Sequence, residues 1–189
     1  IATRFIGNIN LETARMQQLI ERMLQLARLE SGQGLDRQSV EPARLGRRTI
    51  DARQIAAERR QITLLSALDE AQKQKWDPLL VEQALGNLLD NGIRAAWGNR
   101  EHAAPRVLLS LDDLGRRLVI EVEDSGEGVD EALADHLFDY GVSRQTGDHG
   151  VGLFLVKKTV ARRGGVIEWR RTAEQTTLFG IYLNKNQLV

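Results

Sequence analysis

Asn87 and Asn91 stand four residues apart in the stretch LLVEQALGNLLDNGIRAA, Leu79 to Ala96. On a helix they share one face and reach one ligand. Each carboxamide offers a neutral, hard carbonyl oxygen, which Mg²⁺ accepts beside water and phosphate oxygens. Arg94, three residues beyond Asn91, adds positive charge near the same edge. A second group, Asp124-Ser125-Gly126-Glu127-Gly128, follows a short strand-like run. A carboxylate at a strand end can accept from an exocyclic amine such as that of adenine, and neighbouring glycines let backbone approach a flat ring. The third, Gly147-Asp148-His149-Gly150-Val151-Gly152-Leu153, is a loop running into a helix. The N–H groups and dipole of a helix N-terminus favour phosphate. Taken singly, each group also has an ordinary reading: two solvated asparagines, an Asp-Ser-Gly turn, a loop before a helix start.

These residues need elements to hold them. In the asparagine stretch, Leu79, Leu80, Ala84, Leu85, Leu88 and Leu89 form an apolar stripe at helical spacing, with Asp77 as N-cap and Pro78 in the first helical position. Upstream, Thr3 to Glu30 reads as one long helix, with Phe5, Ile9, Met16, Ile20, Met23 and Ala27 along it and Leu19, Leu24, Leu26 and Leu29 widening the stripe. So much apolar surface predicts packing against another helix, in the same chain or across a dimer. Ser31-Gly32-Gln33-Gly34 ends that helix and is the best domain boundary.

Ser39-Val40-Glu41-Pro42 reads as a helix start, leading into an apolar run from Leu45 through Ile50 and Ile55 to Ala57. Ile62 to Leu68 is a strand candidate, and Asn99 to Pro105 a polar loop. Val107 to Leu111 and Leu118 to Glu123 pair as a hairpin around Asp112-Asp113-Leu114-Gly115. A helix from about Gly150 to Arg163 stops at Gly164-Gly165, before strands Val166 to Arg171 and Thr177 to Leu183. The order predicts the α/β class: a two-layer α/β sandwich with a mixed, largely antiparallel sheet, preceded by one long helix.

Composition narrows the function classes. Lys plus Arg equals Asp plus Glu at 26 each, so the 189-residue chain has no global basic footprint for nucleic acid. No stretch reaches the roughly 18 to 20 apolar residues of a membrane span, and no charged start leads into an apolar signal core. With 42% hydrophobic residues the expectation is a soluble globular polypeptide. There is no cysteine, and His102, His136 and His149 have no metal-ligand spacing.

Together and in this order, the three groups resemble the ATP-binding domain of sensor histidine kinases, within the gyrase, heat-shock-90, histidine kinase and mismatch-repair superfamily. The asparagine helix is similar to the N box, Asp124 to Gly128 to the G1 box and Gly150 to Leu153 to the G2 box. Leu137-Phe138-Asp139-Tyr140-Gly141-Val142-Ser143-Arg144 resembles the F box and the start of the ATP lid, and Gly164-Gly165 the terminal glycine pair. The likeness runs from about Val40 to Leu183, and residues 4–30 resemble the second helix of the kinase dimerisation hairpin.

The resemblance implies a Bergerat-type fold, the cofactors ATP and Mg²⁺, and a division into residues 1–38, a partial dimerisation helix and linker, and 39–189, a catalytic domain. It implies that Asn91 holds Mg²⁺, Asn87 contacts phosphate or metal, Arg94 and Arg144 neutralise phosphate charge, and Asp124 takes the adenine amine. Gly126 and Gly128 shape the wall beside the base, and Gly150, Gly152 and Leu153 form the phosphate-side box. In hydrolysing relatives a water-activating glutamate stands where this chain has Asn87, so transfer is favoured over hydrolysis. No histidine has the His-Glu-xxx-Pro acceptor context, so the acceptor is expected outside this chain, which alone should not autophosphorylate. Further expectations are a response regulator receiver domain as partner, a homodimer once the hairpin is complete, and a place on the cytoplasmic portion of an inner-membrane sensor. An ATPase or ATP-operated switch, or a nucleotide-free association module, are the alternatives.

Overall fold

Asp77 Oδ1 accepts from the Leu80 N–H at 3.2 Å, and Pro78 opens helix α4, Pro78–Gly98. A side-chain cap of this kind stabilises a helix by about 1 kcal/mol. The computed structural model describes residues 2–31, 36–99, 104–142 and 150–185. Along them run α1 (Ala2–Ser31), β1 (Gln38–Val40), α2 (Pro42–Asp51), α3 (Gln54–Glu58), β2 (Thr63–Leu68), β3 (Gln74–Trp76), α4, β4 (Arg106–Asp113), β5 (Arg117–Asp124), α5 (Gly152–Ala161), β6 (Val166–Arg171) and β7 (Thr177–Asn184).

The five-stranded sheet has the order β2-β4-β5-β7-β6. Only β2 and β4 pair in parallel, and α4 lies in the connection that a parallel pair requires. β4 and β5 form the expected hairpin, registered from Val107 opposite Asp124 to Asp113 opposite Leu118. Alternation places Val107, Leu109 and Leu111 of β4, Ile120 and Val122 of β5, and Phe179 and Ile181 of β7 in the core. Against them α4 buries Leu85, Leu88, Leu89 and Ile93, while α5 adds Val156 and Val160. Each such side chain contributes roughly 1.5–3 kcal/mol by leaving water. The mixed, largely antiparallel two-layer sandwich is as expected.

Several local readings are corrected. Ser39-Val40 belongs to β1, paired antiparallel with β3, and the helix starts only at Pro42 behind Glu41. A three-residue strand leaves no period to detect. The run from Leu45 to Ala57 is two helices, broken at Ala52-Arg53, where Arg53 turns to bind Asp90 at 2.8 Å. Leu79 is 47% exposed, because nine residues before Leu88 it falls on the opposite side of α4. α5 begins at Gly152 rather than Gly150, whose φ of +60° is not helical.

Among the described residues, the C-terminal end of helix α1 packs against the rest of the chain. Leu29 is buried with Leu80, Val151 and Leu155, Leu26 packs against them, and the Arg162 guanidinium donates to the Leu29 carbonyl. Ile9, Met16, Ile20, Met23 and Leu24 are exposed. Among the described residues no helix is long and apolar enough to cross a membrane. Gly32-Gln33-Gly34 and His102 lie outside the described residues.

Candidate active site

β5 ends in Asp124, and the chain then turns along α4. Gly126 is needed there, since a Cβ would lie 2.6 Å from the Ala95 Cβ and 2.9 Å from its carbonyl carbon. The turn lets the Gly126 N–H donate to Asp124 Oδ1 at 2.9 Å. Asp124 is only 2% exposed, and its cross-strand neighbour on β7 is Thr177. The Thr177 hydroxyl is buried without a hydrogen-bond partner among the described residues. Burial pushes the Asp124 carboxyl up to about 7, opposed by the Gly126 N–H and the Arg171 guanidinium and reinforced by Glu123.

Helix α4 supplies the other polar group. Asn87, Asp90, Asn91 and Arg94 line one cavity of about 380 Å³ together with Asp124 and Thr177. Asn87 Nδ2 donates to the Gly152 carbonyl at 3.4 Å, and Asn91 Oδ1 accepts from Arg94 Nη2 at 3.3 Å. Asp90 is held by Arg53. Val129, Leu133, Leu137, Leu153 and Phe179 give the cavity apolar walls, with Phe138 edge-on against Phe179 at 6.3 Å. Gly150 closes one side in a left-handed conformation, where a Cβ would stand 2.4 Å from the backbone of Gly141 and Val142. Its carbonyl accepts from the Gly141 N–H at 3.2 Å, and α5 starts two residues on.

The structure thus brings Asn87, Asn91, Arg94, Asp124, Gly128, Gly150, Gly152 and Leu153 onto one wall system. Gly126 stands behind that wall, against α4, and Arg144 lies outside the described residues, as do Asp148 and His149. Sequence reasoning missed Thr177 and Arg22, which also line the cavity. Pairing β5 with β7 in register would have found Thr177, and no local signal marks Arg22. A slot with a carboxylate and an unpartnered hydroxyl among apolar walls suits a flat heterocycle. Carboxamides, a guanidinium and a helix N-terminus suit an anionic chain.

Comparison with known proteins agrees with that chemistry. Residues 76–187 match the family model described as Histidine kinase-, DNA gyrase B-, and HSP90-like ATPase. The sensor histidine kinase DpiB of Escherichia coli K12 is 44% identical over 104 residues, 53% of this chain and 19% of DpiB. The sensor protein CreC of the same organism is 31% identical over 190 residues, 98% of this chain and 39% of CreC. The chain therefore spans well under half the length of either relative. The histidine kinase AdeS of Acinetobacter baumannii has the same fold, with a TM-score of 0.77 at 19% identity over 96% of this chain and 84% of that one. From the fold, the cavity and these likenesses, the chain belongs to the histidine kinase-, DNA gyrase B- and HSP90-like ATPase family and carries the ATP-binding catalytic domain found in sensor histidine kinases.

Proposed function

We propose that this chain is the catalytic part of a two-component sensor histidine kinase, transferring the γ-phosphoryl group of Mg-ATP to a histidine outside the chain for relay to a response regulator. The observation that carries the reading is the polarity of the cavity. Buried Asp124 and the unpartnered Thr177 hydroxyl share it with the Asn87, Asn91 and Arg94 side chains of α4.

An adenine fits the first pair, because its amine donates to a carboxylate and its ring nitrogens accept from a hydroxyl. A Cβ at Gly126 would run into Ala95 and one at Gly128 into the Arg171 guanidinium, so both glycines fix the path of the chain beside that wall. Gly150, Gly152 and Leu153, at the start of α5, offer N–H groups and the helix dipole to phosphates. The Asn91 carboxamide oxygen suits a hard cation, and Mg²⁺ when bound neutralises charge on phosphate oxygens. Arg94 adds positive charge on the cavity wall, and Arg144, outside the described residues, is assigned the same phosphate-neutralising role. Asn87 is an amide and cannot take a proton from water, so bound ATP is kept for transfer rather than hydrolysis. Positioning and charge neutralisation carry the chemistry, since phosphoryl transfer asks little covalent help of the protein.

In the same reading residues 1–38 are part of a dimerisation hairpin with its linker, and 39–189 the catalytic domain. The exposed Ile9, Met16, Ile20 and Met23 suit a homodimeric helical bundle. The domain would work on the cytoplasmic portion of an inner-membrane sensor, where ATP and a receiver domain are met. The test adds a polypeptide bearing a complete acceptor hairpin and labelled Mg-ATP. Labelled phosphohistidine is the expected product. Steady phosphate release without acceptor labelling would mean an ATPase or switch, and no nucleotide binding an association module.

A further inference from the structure

Arg22, Leu26 and Leu29 follow one face of α1 at spacings of four and three. Leu29 and Leu26 sit in the apolar contact with Leu80, Val151 and Leu155. Val151 is the residue that precedes α5, so this contact ends where the N-terminus of α5 opens onto the cavity. Arg162 holds the Leu29 carbonyl, and Gln25, on the intervening turn, is buried. The C-terminal part of α1 is therefore docked by a defined set of contacts. One turn before Leu26, Arg22 passes the edge of the contact and its half-buried side chain lines the cavity with Asn91, Arg94, Gly150 and Gly152.

We infer that Arg22 contacts the polyphosphate of bound ATP, so that the docking of α1 on α5 sets the affinity of the site for triphosphate. The inference rests on the ATP-site reading above. Among the described residues, Arg22 and Arg94 are the basic side chains on the cavity wall. A single divalent cation leaves a triphosphate with net negative charge, and a guanidinium donates to phosphate oxygens in paired, charge-assisted hydrogen bonds. Arg94 comes from the helix that carries the asparagines, whereas Arg22 comes from a helix that enters the domain from outside the sheet. Arg22 is in place only while Leu26 and Leu29 stay seated. Any movement of α1 that lifts them withdraws the guanidinium and leaves the base-binding end untouched.

The test is calorimetric titration of the whole chain with ATP, ADP and adenosine in Mg²⁺, for the unmodified protein and for Arg22→Gln, Arg22→Lys and Leu29→Ala. Arg22→Gln should weaken ATP about tenfold, weaken ADP less and leave adenosine unchanged. Arg22→Lys should restore part of the loss, because the charge returns without the fork. Leu29→Ala, with Arg22 intact, should reproduce the ATP-selective loss, and its adenosine affinity reports that the domain is still folded. An ATP to adenosine ratio unchanged within twofold in Arg22→Gln overturns the phosphate contact. An unchanged ratio in Leu29→Ala overturns the dependence on docking. No ATP binding by the unmodified chain would overturn the ATP-site reading, and this inference with it.

Discussion

At the Asp124 end of the cavity the polar groups stand on neighbouring strands of one hydrogen-bonded sheet, Asp124 on β5 opposite Thr177 on β7. At the Asn91 end they come from three helices distant in sequence: Arg22 from α1, Asn87, Asn91 and Arg94 from α4, and Gly152 from α5. The first end cannot change without breaking a ladder buried on Val122 and Phe179. The second can change by the shift of one helix on another, through contacts as limited as the Leu29 cluster. On the proposed assignment of base to the Asp124 end and phosphates to the Asn91 end, a site built this way would hold the base in a fixed place and leave phosphate affinity open to adjustment.

The comparison can be broken most forcefully at its rigid end. Asp124→Ala removes the acceptor of the Gly126 N–H and of the proposed adenine amine. Leaving buried donors unpaired costs about 2–3 kcal/mol, so ATP affinity should fall on the order of 100-fold. A calorimetric loss below tenfold would mean that the base does not rest on Asp124. Two glycine substitutions sharpen the contrast. Gly126→Ala drives a methyl into the Ala95 backbone and should cost about 2 kcal/mol, read as a lower melting temperature. Gly152→Ala places its Cβ 3.7–3.9 Å from Asn87, an ordinary contact, and should change stability by less than about 0.5 kcal/mol. Equal losses in the two variants would contradict a rigid and a tolerant end.

At the adjustable end, Asn91→Ala should weaken ATP about tenfold in Mg²⁺ and little in its absence. A loss that ignores Mg²⁺ would assign Asn91 to the nucleotide itself. The smallest effect concerns protons. Burial pushes the Asp124 carboxyl up to about 7 in the fold, above the usual carboxylate range, so the folded state binds its proton more tightly than the unfolded chain. Its contribution to stability is present at low pH and is lost as pH rises from about 4 to about 7. The ionised form is the stronger acceptor for an adenine amine. ATP binding near neutral pH should therefore release protons, measured from binding heats in buffers of different ionisation enthalpy. Absence of release, or release that persists in Asp124→Asn, would detach Asp124 from the base.

Much of the site was legible in the chain itself because its parts are local. Asn87 and Asn91 are one turn apart on a helix whose cap, Asp77-Pro78, is written beside it, and Asp124 to Gly128 are consecutive. The hairpin of β4 and β5 was equally readable, since turn residues and alternation lie within one short stretch. The first turn of α2 was misplaced by a few residues, because β1 exists only through its pairing with β3, more than thirty residues away. Leu79 is apolar yet exposed, and the helical period of α4 already sets it opposite Leu88, so its place was legible in the spacing rather than in its hydrophobicity.

What the sequence determined by itself is the set of chemical groups and the helix and hairpin that carry most of them. The tertiary structure alone decided which groups meet. Thr177 joins Asp124 only because β7 pairs with β5 in one register, and Arg22 joins Asn91 only because Leu29 is buried against Leu80, Val151 and Leu155. Strand register and helix docking are set by burial between segments far apart in the chain, and such long-range contacts leave no mark on the local spacing of residues.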